Sequence, residues 1–75
     1  MGRDPRVEPR AGDWLTQPRF VSTLVDDVNT FHVTERNGNV VHYRFNGCDG
    51  FRTSVANWRM GRATATVIHV SEGRE

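Results

Sequence analysis

Between Phe31 and Phe45 the chain alternates apolar and polar positions, first along Phe31-His32-Val33-Thr34 and again along Val40-Val41-His42-Tyr43-Arg44-Phe45. Asn37-Gly38 lies between the two runs, and Asn-Gly flanked by alternating runs is a strong hairpin signal. A two-residue Asn37-Gly38 loop would pair Val33 with His42 and mix apolar with charged side chains on both faces. A three-residue loop, Arg36-Asn37-Gly38, pairs Val33 with Val41, Phe31 with Tyr43 and His32 with His42. It gathers Phe31, Val33, Val41, Tyr43 and Phe45 on one face and leaves His32, Thr34, Val40, His42 and Arg44 on the other. A one-residue slip would bury the wrong set. The pattern therefore predicts a type I turn with Gly38 left-handed in a bulge. A loop of Asn37-Gly38-Asn39 keeps the same faces and is the close alternative.

The same reading extends outward. Pro5 and Pro9 forbid a regular helix across residues 1–12, and alternating Arg and acidic residues predict a flexible, solvated arm there. Gly12-Asp13 is a turn, followed by a short strand, Asp13–Gln17, with Leu15 or Trp14 facing inward and Pro18 ending it. Arg19–Val25 predicts a second strand, with both faces partly apolar. After Phe45, Asn46-Gly47-Cys48-Asp49-Gly50 predicts a tight loop, with Phe51–Thr53 as a brief extension. Ser54–Gly61 reads as about one helical turn, capped by Thr53 or Ser54 and ended by a left-handed Gly61. Val55 and Trp58 share its inner face, Trp58 plugging the end of the core. Ala63–Val70 is a last strand with Ile68 and Val70 on one face.

Five short strands and one helical turn near the C-terminus predict an all-β fold, a small five-stranded SH3-like barrel. An OB-fold is the alternative. The barrel occupies residues 13–70, between the arm at 1–12 and a tail at 71–75.

Seventy-five residues make one domain with a small core. With 36% hydrophobic and 25% charged residues the composition is that of a folded, water-soluble chain. No apolar run reaches the roughly 20 residues of a membrane helix, and no hydrophobic leader opens the sequence. A cytoplasmic location is expected. The single cysteine, Cys48, excludes an internal disulfide and a thiolate metal cage. The formal net charge of +1 argues against a dedicated nucleic-acid binder. All ten basic residues are arginine. Arginine suits bidentate contacts to phosphate and carboxylate. Codon bias in a GC-rich genome is the plainer reading, one that also covers the many Val, Ala, Gly and Asp residues.

Pro9-Arg10-Ala11-Gly12-Asp13-Trp14-Leu15 resembles the start of many small SH3-like barrels, where a Pro-x-x-Gly-Asp turn leads into the first strand. Thr53-Ser54-Val55-Ala56-Asn57-Trp58-Arg59 resembles the Ser-x-x-x-Trp-Arg segment that follows the central hairpin in small proteins of phages and prophages. The resemblance spans about residues 5–62. That family has no established activity and lends no catalytic residue. What it implies is a setting, a small phage-type accessory protein.

Candidate chemistry is sparse. His32 opposite His42 would bring two imidazoles within about 4.5–5.5 Å at Cβ, near enough to share a zinc with His69 or Glu35. No fixed third ligand follows, so no metal or other cofactor is assigned. Cys48 has no fixed relation to any histidine, so no nucleophile–base pair is assigned and no enzyme activity is expected. Arg52, Arg59 and Arg62 bracket Trp58, and Arg44 lies on the outer hairpin face. Together they form a basic patch of the kind that binds nucleic acid, although nine acidic residues nearly cancel the arginines. Trp14, if exposed, is an aromatic anchor for a protein partner, and His32 and His42 mark the exposed sheet face. The expected function is a non-catalytic protein-binding module that blocks or bridges a host or virion protein, such as a host defence complex. A nucleic-acid-binding barrel using the arginine patch is the alternative.

Overall fold

The structure, a computed structural model, describes residues 3–18 and 28–71. Five antiparallel strands form one sheet: β1 (Trp14–Pro18), β2 (Val28–Asn37), β3 (Val40–Phe45), β4 (Cys48–Ser54) and β5 (Thr66–His69). The order is β4-β3-β2-β1-β5, a meander whose last strand returns to pair with the first. A short helix, α1 (Val55–Gly61), connects β4 to β5. The all-β, five-stranded fold read from the sequence is the one found, but the strands do not close into the expected barrel. The sheet is open, and β4 and β5 are its two edges.

The members of the set differ from those expected. Arg19–Val25 lies outside the described residues. The fifth place falls to Cys48–Ser54, where the sequence suggests a loop through Gly50 and only a brief strand at Phe51–Thr53. The reason is the second Asn-Gly pair. Asn46 (φ 52°) and Gly47 (φ 86°) both adopt positive φ and close a two-residue turn between Phe45 and Cys48, the geometry that a primed hairpin turn demands. Asn46 also ties the turn to β2, accepting from the Thr30 amide at 2.7 Å through Oδ1.

The central hairpin turns on Gly38-Asn39, with Asn37 still paired to Val40 and Gly38 at φ 57°. The expected faces survive because β2 carries a bulge at Thr34. Beyond it the register runs Val33↔Tyr43, His32↔Arg44 and Phe31↔Phe45. This is the register of the Asn37-Gly38-Asn39 alternative. His32 and His42 are therefore not opposed, and the favoured Arg36-Asn37-Gly38 loop does not form.

The core is Leu15, Phe31, Val33, Val41, Val55, Trp58 and Ala65, flanked by Tyr43, Phe45 and Val67. Leu15 faces inward and Trp14 outward. Ser54 caps α1, accepting from the Asn57 amide at 3.1 Å, and Trp58 is fully buried. Gly61 does not end the helix in a left-handed conformation. The Arg62 amide closes the last turn on the Trp58 carbonyl, with Arg62 at φ −102°. In β5 a second bulge breaks the alternation. Val67 pairs with Leu15 and His69 with Trp14, leaving Ile68 on the surface.

Residues 3–12 do not form an extended, solvated arm. Asp4 starts a single helical turn with Pro5 at its first position, the Val7 and Glu8 amides bonding the Asp4 carbonyl at 2.9 and 2.8 Å. Pro5 and Pro9 are both buried. The indole N–H of Trp58 donates to the Pro5 carbonyl at 2.9 Å, and Arg36 donates to the Pro9 carbonyl at 3.0 Å.

The fastener is Asp13, whose side chain is fully buried. Its carboxylate accepts from both terminal nitrogens of Arg3, from the Arg10 amide at 2.8 Å and from the Ser71 amide at 2.8 Å. Burial by itself would raise the carboxyl pKa. The hydrogen bonds from Arg3, Ser71 and Arg10, with the Arg3 charge, outweigh it and hold Asp13 below the ordinary carboxylate range.

Asp13→Asn removes one partner of a buried ion pair and is expected to cost about 3–5 kcal/mol, read from urea unfolding. Because the folded pKa of Asp13 is depressed, its contribution is present above the unfolded value of about 3.9 and is lost as pH falls through the folded value. The gap between wild type and variant should therefore be full at pH 7 and close on acidification.

Gly12 has φ +97°, and a Cβ there would sit 2.8 Å from the Cβ of Ser71. Gly12→Ala should cost about 1–3 kcal/mol, visible as a lowered Tm with an unchanged sheet spectrum.

Candidate functional site

The sheet has two chemically different faces, each built by strand alternation. On the outer face a row of side chains crosses all five strands. His69 lies beside Trp14, Trp14 beside His32, and His32 beside Arg44. Arg44 donates to Asp49 at 2.7 Å, Asp49 being in the β4 bulge. Trp14 and His32 stack with ring centroids 4.0 Å apart and an interplanar angle of 11°. A second row joins Glu35, His42 and Arg52.

The setting disfavours the charged form of His32. Burial under the Trp14 ring and then the charge of Arg44 both lower its pKa. Its Nδ1 is buried and has no hydrogen-bond partner among the described residues. No three metal-ligating side chains converge among the described residues.

The inner face runs out of core before it runs out of aromatics. At the end of the sheet Phe31, Tyr43, Phe45 and Phe51 form a ring cluster, with centroid separations of 5.1 Å for Phe31–Phe45 and 5.7 Å for Tyr43–Phe51. They line an open cleft of about 390 Å³ together with Gln17, Pro18, Asn29 and Arg62. Arg62 lies over Phe31, its guanidinium carbon 4.0 Å from the ring centroid, a cation–π arrangement. Its Nε donates to Gln17 Oε1 at 2.9 Å. Burial lowers the Arg62 pKa, with the nearby Tyr43 opposing.

The structure thus divides the residues singled out from the sequence. Trp14, His32, His42, Arg44 and Arg52 share the outer face. Arg59 and Arg62 do not join them. Arg59 donates to the Val7 carbonyl at 2.8 Å and approaches Glu8 at 3.5 Å, holding the N-terminal segment. Arg62 belongs to the aromatic cleft. There is no single arginine patch. Trp14 is exposed, as an anchor requires, and Cys48 is exposed at the start of β4.

The cleft itself was missed. The pattern puts Phe31, Tyr43 and Phe45 on one sheet face and Phe51 at the start of a brief strand extension, without joining them. The available signal was volume, because four large rings on one inner face exceed what a chain of this length can enclose.

The His32 ring should titrate below its ordinary value of about 6.5, followed by its carbon-bound proton resonances. Arg44→Met should move that titration upward, because one of the two forces that disfavour the imidazolium is removed.

Among the described residues no helix is long and apolar enough to cross a membrane. Compared with protein-family models, with curated proteins and with solved structures, the chain finds no match in any of the three.

Proposed function

We propose that this chain is a non-catalytic protein-binding module that docks its partner along the β5 edge and the adjoining outer face. One observation carries the reading. The free side of β5 is an uncharged, β-branched edge, and no other element of the described structure packs along it. Ile68 is 60% exposed on this edge, with Val70 at 38% and, on the paired strand, Trp14 at 39%. An unshielded apolar edge is a template for strand addition, and an exposed tryptophan beside it supplies an anchor of high interface energy. Charge supports the same choice. The outer face sets Arg44 and Arg52 against Asp49 and Glu35, so a polyanion gains little there. The setting that fits, by the resemblance of its sequence motifs, is a small phage-type accessory protein that blocks or bridges a host or virion protein.

The test is capture of tagged protein from a bacterial lysate with and without nuclease, beside Ile68→Lys and Trp14→Ala. Both side chains are exposed, so the fold should persist, as circular dichroism would confirm. A co-recovered protein should survive nuclease and fall at least about tenfold with either variant, the loss of a hot-spot contact. Recovery that vanishes with nuclease, or that ignores both substitutions, would refute the reading.

A further inference from the structure

Arg62 is a half-buried cation that no carboxylate among the described residues neutralises. Its neighbours are rings and an amide, namely Phe31, Trp58 and Gln17. The acidic side chains among the described residues are engaged elsewhere. Asp4 pairs with Arg6, Glu8 with Arg36 and Arg59, Asp13 with Arg3, and Asp49 with Arg44. Glu35 accepts from the Asn37 side chain at 2.9 Å. A guanidinium has five N–H donors. Only the one on Nε of Arg62 is used by a described residue. Arg62 lines the aromatic cleft, and its two terminal nitrogens have no hydrogen-bond partner among the described residues.

We propose that this cleft receives a single carboxylate carried on an apolar peptide segment of a partner protein. The carboxylate is forked by the terminal nitrogens of Arg62, the planar two-point match that guanidinium makes with carboxylate. The neighbouring apolar side chain of the peptide lies against Phe45 and Phe51. Phe51 is 40% exposed at the cleft mouth. Charge complementarity selects this occupant over a polyanion. Among the described residues Arg62 is the sole cation lining the cleft, and Arg44 and Arg52 project from the opposite face of the sheet. A nucleic acid would gain one phosphate contact and no second. Burial among rings also strengthens a single ion pair that a solvated surface would screen. The inference rests on the binding-module reading but at a second site, away from the β5 edge.

A randomised dodecamer display library panned on the folded protein tests it, with enriched peptides titrated against the ¹⁵N-labelled chain. Enriched peptides should carry Asp or Glu next to an aromatic or aliphatic residue. They should shift the Arg62 Nε–H and the Tyr43, Phe45 and Phe51 resonances. Replacing the peptide acid by its amide should weaken binding about tenfold or more. Arg62→Gln, which keeps an uncharged stem over Phe31, should erase that difference, and Phe51→Ser should weaken both peptides. Enriched peptides without an acid, or equally well bound by Arg62→Gln, would overturn the cleft assignment and leave the module reading standing. Shifts confined to Trp14 and β5 would do the same. No enrichment at all would also overturn it, while the lysate capture separately decides the module reading.

Discussion

The fold depends on one buried carboxylate. Asp13 stands just before the first strand, and its two oxygens tie the N-terminal segment to the residues after the last strand. Its backbone is used as well, its carbonyl accepting from the Val33 amide at 2.9 Å. Arg3 completes the arrangement by also donating to the carbonyls of Glu8 and Ser71. A buried ion pair is not in itself a strong source of stability. Here its effect is positional. It sets the segment carrying Pro5 and Pro9 over Trp58, and so closes an end of the core that the open sheet leaves uncovered.

Three irregularities shape the sheet that this fastener holds. Thr34 in β2, Asp49-Gly50 in β4 and Ile68 in β5 each place extra chain opposite a single partner. A bulge bends its strand and increases local twist. Each also resets which side chains face the core. The bulge in β2 lets Val33 and Val41 both point inward from strands of unequal length. The bulge in β5 sends Ile68 out and Val67 in. The exposed edge and the two-faced sheet are thus products of the same local device.

Much of the fold was legible because alternation is a physical rule of strands. The inward set Phe31, Val33, Val41, Tyr43 and Phe45 followed from period two alone, and Trp58 as a plug followed from helical spacing. Register was not legible, because a bulge preserves faces while shifting partners. That is why His32 met Arg44 and not His42. The two Asn-Gly pairs look alike in sequence, yet only Asn46-Gly47 forms the two-residue turn, since Asn37 is held in the ladder by Val40. The N-terminal segment was misread because its prolines do exclude a long helix. Local rules do not reveal that a single turn beginning at Asp4 suffices, nor that Arg3 finds a carboxylate ten residues on. For the candidate site, the outer-face residues were identifiable by phase. The division of the arginines was not, because it depends on tertiary neighbours of Arg59 and Arg62.

The contrasting settings of the two tryptophans give the molecule its own optical labels. Trp58 is enclosed and hydrogen-bonded to Pro5, so its emission belongs to a dry environment and reports whether the N-terminal segment is seated. Trp14 lies open on the opposite face, against an imidazole that quenches when protonated, and is accessible to an aqueous collisional quencher. One unlabelled sample therefore separates, by wavelength and by quencher access, events at the closed end of the core from events on the outer sheet.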